Sequence, residues 1–298
     1  AFGVKGAFAN NLKGIDVSFY GGQIIVVNGA SGSGKSSLIK EVLYNSWTKN
    51  RPVNCISING LDQFEEVLLI DQEVLSQNRL STPVSYTGII EQIKTIFSKS
   101  EYAKNAKLKK ADFSYQSKNG KCKTCGGHGK LKTSMDFMSD IWLTCDSCKG
   151  MRYNDTLLAC KFQEKSIGEV LQMTVQEAIV FFESGAIVES LDILKQVGIG
   201  HLILGQAGNT LSGGESQRLK LANSMLQNRK GTTLYLFDEP STGLHYYDIL
   251  QLINVFQSLV ERGDTVLFIE HNCTLIKSAD QVVTLGPGSG NKGGELMS

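Results

Sequence analysis

Apolar and polar positions alternate at the start of the chain, with Phe2 and Val4 and then Ile15, Val17 and Phe19 on one face. A period of two predicts short antiparallel strands over residues 1–22. Phe8, just after the first run, reads as a core aromatic, with stacking on a flat ligand ring as its alternative role. The apolar run Gln23 to Val27 predicts a buried strand. After a turn, Leu38, Ile39, Val42 and Leu43 recur at helical spacing. Val67 to Ile70 is a second buried strand, and Ile89, Ile93, Ile96 and Phe97 form the stripe of another helix.

Residues 167–198 carry helical periods throughout, through Val170, Val175, Ala178, Ile179, Phe182, Leu191, Leu194 and Val197, and predict packed helices without chemistry of their own. A further helix runs through Leu219, Leu221, Ala222, Met225 and Leu226, announced by Ser212 and Glu215 as a capping box. Thr232 to Phe237 and Thr265 to Ile269 are apolar enough to be buried strands. Between them Ile249, Leu252, Ile253, Phe256, Leu259 and Val260 mark a long amphipathic helix, and Gln281 to Leu285 is the last predicted strand. Strands alternating with helices predict an α/β fold with a parallel sheet.

Polar residues fall where these strands end, and they give the pattern chemical content. Gly29 to Ser36 reads GASGSGKS, between a strand and a helix. In that context the glycines let backbone N–H groups converge on an anion, the helix dipole adds to them, Lys35 brings a charge to the β- and γ-phosphates, and Ser36 offers a hydroxyl to Mg²⁺. The strand 67–70 runs into Asp71-Gln72, a place from which Gln72 can orient water and ligate Mg²⁺. The strand 232–237 runs into Asp238-Glu239-Pro240, where Asp238 can hold the Mg²⁺ shell and Glu239 can polarise an attacking water. The strand 265–269 runs into Glu270-His271. Polar strand ends beside a phosphate loop predict a site at the carboxyl edge of the sheet. Ser212-Gly213-Gly214 opens a helix with exposed N–H groups and is a second candidate phosphate site.

Cysteines add a different chemistry. Cys122 and Cys125 form one CxxC pair, and Cys145 and Cys148 form another. The spacing suits four thiolates closing on Zn²⁺, and flanking glycines permit the tight turns such a site needs. His128 is a candidate substitute ligand. Cys55, Cys160 and Cys273 sit singly in apolar runs and read as buried thiols. CKTCGGHG also matches the CxxCxGxG of chaperone-like zinc domains, a reading the phosphate-site motifs outweigh.

Composition changes the picture in two respects. At 298 residues, with 41% hydrophobic and 20% charged residues, the chain is long enough for one elaborated globular domain or a domain with an insertion. No apolar run has the length to span a bilayer, which predicts a cytoplasmic location and no membrane partner. A chain that begins at Ala1 and stops in GGELMS also reads as a piece of a longer protein. Net charge is only +1, yet residues 99–132 hold ten lysines (99, 104, 107, 109, 110, 118, 121, 123, 130 and 132) against Glu101 and Asp112, or 10 − 2 = +8. Charge so segregated predicts a polyanion-facing surface on an otherwise acidic body.

GASGSGKS, Gln72, LSGGE at 211–215, LYLFDEP and His271 resemble, in order, the Walker A, Q-loop, signature, Walker B and H-loop of the ABC ATPase superfamily. Within it the chain is similar to the C-terminal ABC half of the UvrA family, the damage-recognition ATPase of the bacterial UvrABC excinuclease. NNLKGIDVSF at 10–19, PVSYTG at 83–88, the two CxxC pairs, Arg152-Tyr153-Asn154, LSGGESQRLKLA, DEPSTGLH and LGPGSGNKGG carry that similarity. It implies an α/β, ABC-type P-loop ATPase domain with a helical signature region and a zinc-binding insertion. The expected divisions are 1–85 (ATP-binding core), 86–205 (helical and zinc-binding insertion) and 206–298 (ATP-binding core).

The resemblance further implies an ATPase that is not itself the nuclease, acting in nucleotide excision repair within the DNA-damage (SOS) response. ATP phosphates would lie on Gly29, Ser31, Gly32, Ser33, Gly34, Lys35, Ser36 and Ser37, with Mg²⁺ near Ser36, Gln72 and Asp238. Glu239 would be the general base and His271 the γ-phosphate sensor. Ser212, Gly213 and Gly214 would complete the site of a second ABC half or a second copy, since they cannot reach their own phosphate loop in that architecture. Implied partners are damaged double-stranded DNA and, in the full protein, a UvrB-like repair subunit. The alternative is a UvrA-like paralogue or a transporter-type ATPase subunit involved in drug resistance. The chain departs from the family at Glu73 to Leu80 (EVLSQNRL) and at Asp136-Phe137-Met138-Ser139.

Overall fold

A computed structural model describes residues 1–73, 75, 78–135, 138–227 and 231–297 of the chain. Of the two departures from the family pattern, Val74, Ser76, Gln77, Asp136 and Phe137 lie outside the described residues. The chain forms two compact units, one of Ala1–Glu73 with Gln227–Ser298 and the other of Val74–Leu226.

The first unit is built on a six-stranded sheet, ordered Glu295–Leu296, Gln281–Gly286, Ile24–Gly29, Thr265–Ile269, Thr233–Asp238 and Glu66–Ile70. Every pairing is parallel except that of the edge strand Glu295–Leu296. The central strands are apolar along their whole length because both faces are covered, as parallel sheets require. Ile25, Val26, Val27, Leu234, Leu236, Phe268 and Leu267 are all shut off from solvent. A three-stranded antiparallel sheet, ordered Ile15–Phe19, Phe2–Ala7 and Ser57–Asn59, packs through Phe2, Val4, Val17 and Phe19 into the same core. Burial along Ile15–Phe19 alternates with the predicted period of two, whereas along Phe2–Ala7 every residue but Lys5 is buried. Phe8 is not a core aromatic: its ring follows the end of that strand and is 56% exposed.

The helix after the phosphate loop, Ser37–Tyr44, winds with wide π-type turns and continues as Asn45–Lys49. Leu38, Ile39, Val42 and Leu43 are fully buried beneath the loop. Each such side chain is worth about 1.5–3 kcal/mol of burial, so the loop rests on a well-anchored base.

The second unit is mostly helical, with helices at Ile89–Ser98, Ile167–Leu171, Val175–Phe182, Ala186–Gln196 and Gly213–Leu226. Capping boxes start three of them, Ser166 with Glu169, Thr174 with Glu177 and Ser212 with Glu215. The hairpin Lys130–Met135 with Met138–Thr144 leads from the first cysteine pair to the second. Cys55 and Cys160 are buried thiols, but Cys273 is exposed because it begins the short helix Cys273–Lys277 on its solvent side.

Candidate functional site

Parallel register is what assembles the first site. Ile269 lies opposite both Val27 and Asp238, and Phe237 lies opposite Ile70, so the polar ends of four strands reach one sheet edge together. A concave site there is lined by Asn11, Ser31, Gly32, Lys35, Glu239 and His271, among others. Gly29 must be glycine: its φ is +138°, and a side chain would strike the Leu285 carbonyl on the next strand.

Lys35 is 6% exposed, and its Nζ donates to the loop carbonyls of Gly29 at 3.0 Å and Ala30 at 2.8 Å. Burial pulls this ammonium below its ordinary pKa, while the negative charges of Glu239 and Asp238 work the other way. Ser33 is wholly buried, and its Oγ has no hydrogen-bond partner among the described residues. Such a group is costly unless a ligand satisfies it.

Around the loop the acids are held individually. Asp238 pairs with Lys40 at 2.7 Å. Glu239 takes a left-handed backbone, φ +48°, unusual for a residue with a side chain, and its N–H donates to the Ile269 carbonyl at 3.1 Å. Gln72 donates from Nε2 to the Glu239 carbonyl at 3.4 Å, and His271 Nε2 lies 3.9 Å from Glu239 Oε1. Buried Glu270 accepts from the backbone N–H groups of Ser241, His271 and Asn272. It ties the turn after Glu239 to the turn carrying His271.

Several contributors escape sequence reasoning. Asn11 Nδ2 donates to the carbonyls of Gly32 at 2.9 Å and Gly290 at 3.1 Å, so the glycine-rich tail helps hold the phosphate loop. The tail's PGSGNKGG was a visible signal without an assigned role. Lys40 and Glu270 carry no motif of their own.

The remaining predicted residues lie in the second unit. Ser212 and Glu215 form the predicted capping box: the Ser212 N–H donates to Glu215 Oε2 at 2.8 Å, and the Glu215 N–H to Ser212 Oγ at 3.2 Å. Glu215 also meets His201 Nε2 at 2.9 Å. Burial raises the Glu215 pKa, but these hydrogen bonds outweigh it and leave the carboxyl below its ordinary range. Gly213 and Gly214 open the helix Gly213–Leu226.

Cys122, Cys125, Cys145 and Cys148 are buried together, with their sulfurs within 4.8 Å of one another. The Cys125–Cys148 sulfur separation is 3.6 Å. A tetrahedron of sulfurs about 2.3 Å from zinc has edges of about 3.8 Å, so this donor set fits that ion. Burial and the neighbouring thiols push the Cys148 thiol up to about 12, a crowding that a divalent cation relieves. His128 is not a member of the cluster among the described residues. Gly127 has φ +89°, and a side chain there would strike the Tyr115 carbonyl, so the knuckle turn demands glycine.

Arg152 completes this region. It is 7% exposed and donates to the carbonyls of Gly127 at 3.2 Å and Gly205 at 2.9 Å, joining the cysteine knuckle to the loop that leads to Ser212. The exposed lysines at 99, 104, 107, 109, 110, 118, 123, 130 and 132 belong to the same unit.

A family model described as ABC transporter matches residues 12–242. The chain belongs to the ABC family. UvrABC system protein A from Staphylococcus epidermidis is 42% identical over 99% of this chain, as is its counterpart from Clostridium perfringens. The chain spans 32% of the length of these relatives. The crystal structure of UvrA2 from Deinococcus radiodurans matches 100% of this chain and 36% of that one, with TM-score 0.91 and 36% identity. This ABC chain is therefore a region of UvrA type: an α/β ABC ATPase fold, with a four-cysteine cluster consistent with a zinc-binding insertion. A dimeric ATP-binding cassette bound to ADP and Pi aligns with TM-score 0.50 at 14% identity, a likeness of fold alone. Among the described residues no helix is long and apolar enough to cross a membrane.

Proposed function

We propose that this chain is an ATP-hydrolysing, DNA-engaging half of a UvrA-type damage-recognition subunit in nucleotide excision repair, working in the cytoplasm beside a second ABC half or a second copy. The observation that carries this is the meeting of Lys35, Ser36, Asp238, Glu239 and His271 at one sheet edge in a chain 42% identical to UvrABC system protein A.

When bound, Mg²⁺ supplies positive charge to the phosphate oxygens; Ser36, Gln72 and Asp238 are the residues to hold it. Backbone N–H groups of the loop, with Ser33 and Lys35, cradle the phosphates. Lys35 exchanges its loop carbonyls for phosphate oxygens. Glu239 takes a proton from the attacking water as the water's oxygen bonds to the γ-phosphorus and the bond from that phosphorus to the β–γ bridging oxygen breaks, releasing ADP and phosphate. The Gln72 contact and the left-handed backbone fix where that carboxylate is carried. His271, 3.9 Å from Glu239, lies where it can contact the γ-phosphate. Ser212, Gly213 and Gly214 present N–H groups to the nucleotide of the partner half. Zn²⁺ on Cys122, Cys125, Cys145 and Cys148 shapes the insertion, and the lysines of 99–132 meet DNA phosphates without reading sequence. A UvrB-like subunit is the partner of the longer protein.

The deciding experiment measures ATPase rate against protein concentration, with and without damaged duplex. A rate rising faster than linearly, and shifting with duplex, is expected. A strictly linear rate indifferent to DNA overturns the paired, DNA-coupled reading. DNA affinity by anisotropy is expected to fall steeply with added salt.

A further inference from the structure

The second unit contains a cavity of about 430 Å³, within the range that holds a small ligand. Four cations line it, Arg79, Lys130, Lys149 and Arg152, and none of its lining residues is acidic. Arg152 is more than nine-tenths buried, and among the described residues it pairs with no carboxylate; its hydrogen-bond partners are two neutral carbonyls. Taking a guanidinium out of water without a counter-charge is expensive. Arg79 is held in place by stacking its guanidinium over Trp142, 4.2 Å from the ring centroid.

The cysteine cluster offsets only part of this charge. Four thiolates with a divalent ion carry −2, so against four cations a charge of 4 − 2 = +2 remains. A ligand of matching charge restores the balance. Two guanidinium forks favour phosphate oxygens, which they bind in a planar, bidentate manner. Ile203 and Leu171 provide an apolar wall, and Thr210 a hydroxyl, beside the charges. The cavity thus has a place for the uncharged part of a ligand larger than phosphate itself.

We propose that this cavity is a binding site for a nucleotide-sized phosphate ester, separate from the phosphate loop at Gly29 to Ser36. The ester is either a free nucleotide or one unit of a nucleic-acid strand.

The test uses the zinc-loaded chain carrying Lys35→Ala, which disables the phosphate loop, titrated calorimetrically with adenosine 3′,5′-bisphosphate. Saturable one-to-one binding is expected. It should weaken about tenfold or more in the added double variant Arg79→Gln with Lys149→Glu, and be unchanged by Lys118→Glu, an exposed lysine outside the cavity. Zinc content and the melting profile confirm that the variants fold, and Trp142 fluorescence gives a second readout through its Arg79 stack. A five-nucleotide single strand then separates the two sources. If it displaces the bisphosphate with the same sensitivity to the double variant, the ligand is a strand; if it does not compete, the ligand is a free nucleotide. Absence of saturable binding, or binding that the double variant leaves intact, overturns the proposal. Either result leaves the ATPase reading to its own test, since the loop is already disabled here.

Discussion

The phosphate-loop region and the four-cysteine region solve the same problem, holding charged groups in place, by opposite means. At the phosphate loop the scaffold is a parallel sheet whose interior is fully buried, and Gln72, Asp238, Glu239 and His271 lie at or within two residues of the ends of its apolar strands. Its charges are balanced locally: Lys40 by Asp238, and Lys35 by carbonyls with two acids nearby. At the cysteine cluster the scaffold is turns and glycines, and the cluster of sulfurs itself occupies the interior. The cavity beside it is lined by four cations and by no acidic residue among those described. In the first region the charges meet partners within the protein, whereas in the second four thiols are crowded together, a crowding that a bound divalent ion would relieve.

The largest expected effect tests the preorganised side. Glu239→Gln keeps size and hydrogen-bonding capacity but removes the base, so ATP turnover should fall about 100-fold or more while nucleotide binding persists. Steady-state ATPase and equilibrium nucleotide binding check this pair of outcomes. If turnover is unchanged, Glu239 is not the base. Thermal stability should barely move, because the strand beneath Glu239 keeps its apolar burial.

Chelation should do the reverse. Structural zinc in small domains contributes on the order of 10 kcal/mol of binding free energy to folding. Stripping the ion should therefore remove amide-exchange protection around residues 113–153, while the sheet strands of the first unit stay protected. Exchange measured by mass spectrometry distinguishes the two units. Equal loss in both would break the comparison, since it would make the phosphate-loop scaffold dependent on the metal as well.

The Arg152 side chain probes the second region without replacing a sulfur, and substitution keeps the backbone N–H that meets the Cys148 sulfur. Arg152→Ala leaves the carbonyls of Gly127 and Gly205 without their charged donor, at a cost of about 3 kcal/mol by denaturant unfolding. Arg152→Lys can reach one carbonyl but not both in the same plane, so it should recover only part of that.

The same contrast explains what could be read from the sequence. The strands 23–27, 67–70, 232–237 and 265–269 were legible because a buried parallel strand is a continuous apolar run, and polar residues just beyond its end are then candidates by position. Glu270 shows the limit: its role is to accept three backbone N–H groups, which depends on how two turns approach each other rather than on any local pattern. Asn11 and the tail are likewise brought to Gly32 only by the fold. In the second region the CxxC spacing announced the cluster, but the hairpin Lys130–Thr144 between the pairs went unpredicted because it lacks a clear alternation of apolar residues. The cation-lined cavity was foreshadowed only by the lysine excess. Three of its four cations, Arg79, Lys149 and Arg152, lie outside the segment that showed that excess. Phe8 and Cys273 failed for a shared reason: an apolar residue at the end of an element need not face inward.

The smallest effect concerns how local polar contacts support the cavity. Glu169 caps the helix Ile167–Leu171, whose Gly168 and Leu171 line it, and accepts from Lys161 Nζ at 2.8 Å and from the N–H and Oγ of Ser166, each at 2.7 Å. The Lys161 bond leads, with Ser166 adding to it, in pulling the Glu169 pKa from 4.5 to about 2. A carboxyl whose folded pKa is depressed contributes stability that is present above its unfolded value and lost as pH falls through the folded one. The window here runs from about 4.5 down to about 2. The group is largely solvent-screened, so the contribution is about 0.5–1 kcal/mol rather than what the shift alone suggests. Glu169→Gln should lower unfolding stability by that amount at pH 6, with the difference from the parent shrinking by pH 3, as denaturant titrations at the two pH values would show. A difference independent of pH would assign the cap to hydrogen bonding alone, and would leave the charge of Lys161 with no share in supporting this side of the cavity.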